Sequence, residues 1–434
     1  MKQIHYSRWR RTAIAFGAAS ALGLVFTVVP SASAQPSDDQ DPAVEQLAQE
    51  KGISSQEAEQ RLVWQEHAAD LDESLRSAIT PDLYGGVWIG DDDRVKVGIV
   101  EPETALQASA PRSAIGTQAA AHQIGAATDV QPVRYALASL EAANTWLGDQ
   151  LEVVNQNATW PLEAGYSPAA NAVRLGVPQD LAGLTPAQQN VVDQARQRFD
   201  GMLDVYTYTD RVQPDACSFR GDTNCDPPLR GGVTISPARC TLGFIGRGRV
   251  DRRLYAFTAG HCVHDLPGGT TYTARFPNNS VHNIGRSGRN VFNRNGDAAI
   301  IQVTNAAGWQ PRAWVTVERS GANGGVPGTT PNDHYPIRRD STSLEGMRVC
   351  HSGFTTGTSC GRVVDLGVIR TYEGVTVRNL AQTNYCRDHG DSGGPVFARG
   401  AAYGLHVAGT GCTGYYQGIR GAENLMQVNV SADG

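Results

Sequence analysis

Apolar residues recur at helical spacing in "SQEAEQRLVWQEHAADLDESLRSAI", residues 55–79. Ala58, Leu62, Ala68, Leu71, Leu75 and Ile79 fall there along one stripe. Ser54 and Glu57 stand ahead of it at capping-box spacing, so the pattern predicts an amphipathic helix. The stretch "GGVWIGDDDRVKVGIV" alternates on both sides of an Asp-rich turn and predicts a hairpin. Further along, the pattern predicts a strand near Val133 and Tyr135, a helix over 137–151, strands near 152–154 and 172–176, and a helix over 186–203. This half therefore reads as α+β. No nucleophile, base and orienting acid converge in it by any motif.

The texture changes near residue 215. Beyond it come short runs such as "LYAFTAGHC", "DAAIIQVT", "GVTVRNL" and "AYGLHVAG", cut by Gly, Asn and Pro turns, with one short helix near 423–428. This half reads as all-β. At the other end, an apolar run over 12–29 follows Lys2, Arg8, Arg10 and Arg11 and precedes Ala32-Ser33-Ala34, the pattern of a secretory signal. No later segment reaches the roughly 18 apolar residues of a membrane span. The expected division is a signal over 1–34, an α+β segment over 35–215 and an all-β domain over 216–434. The expected location is extracellular.

Composition sharpens that boundary. Residues 35–215 hold 12 of the 48 glycines and no cysteine, whereas 216–434 hold 34 glycines and all 8 cysteines. The first segment carries 28 acids and 11 bases, a net −17; the second carries 15 acids and 22 bases, all arginine, a net +7. Such a reversal predicts that the acidic segment docks on the basic domain. In an exported chain the even cysteine set reads as four disulfides, although eight cysteines allow about a hundred pairings by counting alone.

Three motifs carry chemistry. A hydroxyl needs a base to become a nucleophile, and that base needs an orienting acid. "TAGHC" sets His261 after an apolar strand, "NGDAAII" sets Asp297 at the head of an apolar run, and "GDSGGP" supplies Ser392. Gly390 leaves room for the N–H groups of residues 390 and 392 to face a developing oxyanion. "GDSGG" also fits the nucleophile elbow of esterases, but that fold needs Ser, then acid, then His. Only His406 follows Ser392, with no acid between them. The order His261, Asp297, Ser392 is that of chymotrypsin-type peptidases.

These motifs, together with "VCHSGFTTGTSCG" at 349–361, make residues 216–434 resemble the streptogrisin and α-lytic protease group of bacterial serine peptidases. Residues 35–215 resemble that group's pro-region. The resemblance implies two perpendicular β-barrels with the triad between them, and a pro-region that assists folding, inhibits and is removed. It implies disulfides Cys240–Cys262, Cys350–Cys360 and Cys386–Cys412, which leaves Cys217–Cys225. The group usually has a basic residue after the cysteine matching Cys350. Here stands His351, the expected and protonated partner of Asp391, with activity falling as pH rises.

The residue before the scissile bond would enter a pocket formed around 384–390 and 404–409, lined by Arg387, His406, Val407, Ala408 and Gly409. By the resemblance, His406 lies where glutamate-specific members place a histidine. With Arg387 it favours an acidic side chain. The alternative is a packed histidine, an arginine turned to solvent and a preference for aromatic residues or leucine. Val407 departs from the serine common in the group. Self-cleavage after Asp215 would leave Ala216 first. "HCVHD" lacks a matching cluster, so His264 and Asp265 read as loop residues and no metal is expected, nor any cofactor. Asn157, Asn278 and Asn429 match the glycosylation sequon. The arginines form no patch interleaved with aromatics, so nucleic acid is not expected as a partner. Protein or peptide substrates and the chain's own pro-region are, and the enzyme is expected to be a monomer that uses no membrane. A catalytically silent binding protein is the reading from another class.

Overall fold

The computed structural model describes residues 41–100, 105–156, 158–179, 183–208, 228–275, 281–317 and 333–432. The signal at 1–34, Asn157, the Asp215–Ala216 junction, Cys217, Cys225 and Asn278 lie outside the described residues.

In the C-terminal half, six strands follow one another by hydrogen bonding. They are Arg348–Gly353, Pro395–Ala398, Ala401–Thr410, Thr413–Gly418, Val375–Thr383 and Gly357–Tyr372. The last pairs back onto the first, with Cys350 opposite Cys360, and closes a barrel. A second six-stranded sheet runs Thr271–Arg275, Val281–Asn293, Gly296–Val303, Leu254–Thr258, Ile245–Gly248 and Val428–Val430. Strand Gly296–Val303 is buried along nearly its whole length, as a central strand with both faces covered requires, whereas Val281–Asn293 is exposed or half-buried over most of its own. Disulfides join Cys240 to Cys262, Cys350 to Cys360 and Cys386 to Cys412. Among the described residues, no helix is long and apolar enough to cross a membrane.

The N-terminal half is α+β. Helix Ser55–Ala78 carries the expected stripe inward, and the Ser54 hydroxyl accepts from Glu57 N. Strands Tyr84–Ile89 and Val95–Val100 form the hairpin, and Thr128–Val133 adds to it in parallel. Some expected elements differ. Residues 152–154 are the last turn of helix Leu137–Val154, which runs on with Val153 exposed and the Glu152 carboxylate turned to Arg378. The helix expected to reach 203 stops at Arg198 before Gly201, whose φ of +73° favours glycine, and Leu203–Tyr208 is a strand. Tyr135 follows its strand rather than lying in it, and the C-terminal helix spans Ile419–Met426.

The halves meet along a continuous seam. Strand Glu163–Ser167 pairs antiparallel with Gly357–Tyr372, Tyr166 opposite Leu366 and Ala164 opposite Ile369. Ala172–Pro178 and Leu203–Tyr208 extend the sheet beyond it. Elsewhere the acids of the first half receive arginines of the second. Arg399 pairs with Glu59 and Glu66, and Arg348 donates to Glu50 (2.5 Å) and to Gln46 (3.0 Å). Arg378 reaches Asp149 (2.9 Å) and Glu152 (2.6 Å). Asp93, fully buried, meets Arg362 from across the seam and Arg61 and Lys51 from its own half. Burial would push its carboxyl up, but Arg362 first, then Arg61 and Lys51, hold it below the usual range. The charge reversal in the sequence is thus a set of ion pairs in space.

Candidate active site

Strand Leu254–Thr258 delivers the chain to Gly260, and His261 opens the short helix His261–His264. Asp297 is the second residue of strand Gly296–Val303, opposite Phe292. Its position buries it completely. A buried carboxylate must be satisfied by donors, and the structure supplies four. Oδ1 accepts from Gly260 N (2.5 Å) and His261 N (3.0 Å); Oδ2 faces His261 Nδ1 (2.7 Å) and accepts from Tyr372 Oη (2.6 Å). The Nδ1 contact leaves Nε2 as the working edge of the imidazole.

Ser392 lies in the turn before strand Pro395–Ala398 and is buried. Cys262 Sγ is 3.8 Å from both His261 Nε2 and Ser392 O, which sets the serine residue beside the imidazole. Ser392 Oγ donates to Val407 O at 3.3 Å. Val407 sits where the pairing of Ala401–Thr410 with Thr413–Gly418 shifts register between His406 and Ala408, a bulge of the kind that re-aims backbone groups near active sites. Among the described residues, neither Gly390 N nor Ser392 N donates to a backbone carbonyl. Thr241 Oγ1 holds Gly390 O (2.8 Å), fixing that peptide. Gly390 has φ +102°, and a Cβ there would lie 2.5 Å from the Phe354 ring. The position admits only glycine, for both backbone and space.

Asp391 corrects one expectation. His351 Nε2 is 4.0 Å from its Oδ2, and that ring nitrogen faces Cys386 O at 3.0 Å. Burial pushes the His351 imidazole down to about 4, outweighing the pull of Asp391, so the ring is neutral rather than a counter-ion. The carboxylate is held by N–H and O–H groups instead. They come from Thr355 N (3.0 Å), Thr356 N (3.2 Å), Thr356 Oγ1 (2.5 Å) and Asp388 N (2.9 Å). Gly353 makes the room, since a Cβ there would lie 2.0 Å from Asp391 Oδ1.

Beside the serine, His406, Val407 and Ala408 are fully buried. Tyr385 Oη is 3.0 Å from His406 Nδ1, and the His351 ring lies 5.3 Å behind His406. Arg387 N donates to Gly411 O, and its side chain runs against Gly409, where a Cβ would lie 2.9 Å from Nε. Burial, then the Arg387 charge, push the His406 imidazole well below its usual range. His406 is thus a neutral, fully buried ring near a standing cation. His264 closes the short helix His261–His264 rather than lying in a loop, edge-on to Phe292, and Asp265 is its C-cap.

Sequence reasoning missed Tyr372, Phe292 and the Thr355–Thr356 donors. "TYEGV" signals a tight hairpin, which places Tyr372 at a strand end, but nothing in it says what the hydroxyl meets.

The profile described as Trypsin matches residues 248–422. Streptogrisin-A of Streptomyces griseus is 31% identical over 212 residues, 46% of this chain and 60% of its own length. The chain thus spans less than two thirds of that relative. Serine protease 2 of Streptomyces fradiae is 33% identical over 187 residues, 42% of this chain and 95% of its own. Glutamyl endopeptidase 2 of Streptomyces griseus is 26% identical over 185 residues, 42% of this chain and 86% of its own.

Proposed function

The chain belongs to the trypsin family of serine proteases, and on that premise we propose that it is an exported serine endopeptidase made with an N-terminal pro-region. The buried His261–Asp297 pair beside Ser392 carries this reading. Ser392 turns about its Cα–Cβ bond from Val407 O to His261 Nε2, loses its proton there and attacks the scissile carbonyl. Asp297 orients the ring and stabilises the imidazolium. The developing oxyanion sits between the N–H groups of Gly390 and Ser392. The imidazolium then protonates the leaving amine, and water, activated by the same base, hydrolyses the acyl-enzyme.

The residue before the scissile bond is preferentially Glu or Asp. Arg387 lies near enough to His406 to depress its imidazole, and a relative named for glutamyl cleavage resembles the chain. A carboxylate arriving there would oppose the burial that keeps His406 neutral and accept its hydrogen bond. Residues 35–215 act as the pro-region: their acids meet arginines of 216–434, and one strand completes the barrel's sheet. Cleavage between Asp215 and Ala216 fits the acid preference.

A mixed peptide library exposed to the processed protein, beside its Ser392→Ala variant, tests this. Cuts after Glu or Asp are expected, lowered at least about 10⁴-fold in the variant. Cuts after Phe, Tyr or Leu would keep the mechanism and discard the acidic pocket. No cuts by the wild type would overturn the peptidase reading.

A further inference from the structure

We propose that Tyr372 is a positioning residue of the triad, its hydroxyl being the fourth donor that holds Asp297 in place. The inference rests on the peptidase reading above. An ionised carboxylate offers about four acceptor positions. Three on Asp297 are taken by Gly260 N, His261 N and His261 Nδ1, and Tyr372 Oη donates to Oδ2 at 2.6 Å. Oδ2 is thus shared by the imidazole and the phenol, and the phenol decides where on the carboxylate the imidazole can sit.

The tyrosine is built for that position. It ends strand Gly357–Tyr372 and pairs with Val375 across a two-residue turn, Glu373 and Gly374, both with positive φ (+49° and +75°). Such a turn matches the strand twist and fixes the last strand residue. The ring is buried, 5.5 Å from Phe292 and edge-on to His261 at 6.1 Å. On the preceding residues, Thr371 Oγ1 accepts from Asn155 Nδ2 at 3.3 Å and Arg370 pairs with Glu163. The strand bearing the hydroxyl is therefore the one the N-terminal half grips.

A hydrogen bond to an anion lowers its basicity. Without the phenol, Asp297 Oδ2 is a stronger acceptor for His261, the imidazolium is favoured and the ring loses one constraint. Glu373 and His406 are titratable groups that feel this pair, with Asp265 and His264 near Glu373 and Arg387 next to His406. All stay in place when Tyr372 becomes Phe.

The test is Tyr372→Phe in the processed enzyme, with wild type and Ser392→Ala alongside, rates normalised by active-site titration. Wild-type turnover that disappears in Ser392→Ala isolates the peptidase reading from this one. A fall in kcat of roughly tenfold is expected, with KM unchanged and the acid limb of kcat/KM moved to higher pH. The downfield NMR signal of the His261 Nδ1 proton should shift as well. An unchanged kcat and acid limb, with or without a lower Tm, would overturn the proposal. So would a rise in KM alone, which would make Tyr372 a substrate contact.

Discussion

Two groups of carboxylates in the molecule are satisfied in opposite ways. Along the seam, buried Asp93 and half-buried Glu59 and Glu66 meet arginines that belong to the other half. In the cleft, Asp297 and Asp391 meet N–H and O–H groups of their own domain. A pair of ions can be separated into water, where each is solvated again. A carboxylate wrapped by backbone donors cannot leave without dismantling the loop that holds it. The seam thus suits separation and the cleft permanence, as the proposed precursor would require if its first half is removed.

The largest effect that would break this contrast lies in the cleft. Asp391→Asn turns an amide toward the N–H groups of Thr355, Thr356 and Asp388 and loosens the turn carrying Gly390. A fall in kcat/KM of about 10²-fold is expected, together with a lower Tm. If His351 were the true counter-ion, His351→Gln would do the same; the neutral ring predicts that it does not. At the seam, Arg399→Ala strips a cation from Glu59 and Glu66. In a Ser392→Ala chain cut once within 209–216, the released first half should rebind roughly 10–100-fold more weakly. Isothermal titration would show it, and the freed domain carrying Ser392 should keep its kcat.

The smallest effect is one of pH. Glu345, in the second half, gives its oxygens to Ser167 Oγ and Ala169 N of the first. Burial pushes its carboxyl up to about 7. A raised carboxyl binds its proton more tightly when docked, so docking is favoured below the free value and loses strength as pH rises through 7. Burial raises Asp41 and Glu66 in the same direction, whereas Asp93 is lowered and opposes it only at strongly acid pH. Rebinding should be roughly tenfold weaker at pH 8 than at pH 5, and Glu345→Gln should shrink that difference. A flat profile would mean that the seam is not the separable region.

What was legible in the sequence was what is locally encoded. Helix Ser55–Ala78 announces itself by a 3.6-residue stripe and its cap, and the hairpin by alternation around Asp91–Asp93. The site residues His261, Asp297 and Ser392 are set in short motifs whose glycines have local steric reasons. Strand Glu163–Ser167, "EAGYS", has no such signature. It is a strand because two others offer it partners, Ala172–Pro178 just beyond it and the edge of Gly357–Tyr372 some 200 positions away. Residues 152–154 misled in the opposite sense, since two valines suggest a strand while the helix simply runs on. His351 was read as a charge because the group it resembles carries a basic residue there, but burial against Tyr385 and His406 decides its protonation. Tyr372 escaped notice because a tertiary hydrogen bond leaves no periodicity behind.

Strand Gly357–Tyr372 has a final consequence. While Glu163–Ser167 lies against it, its outer ladder is filled at Leu366 and Ile369. Once the first half departs, that flank becomes an open edge in an otherwise closed barrel, a template on which another chain could aggregate. The edge is poorly suited to such recruitment. Its pairing with Val375–Thr383 slips register at three places between Val363 and Arg370, so the strand does not run flat. Asp365 and Arg370, buried beneath the first half, would then face water as charges along the rim. If the first half is removed as proposed, that irregularity would hinder one molecule from stacking on the next.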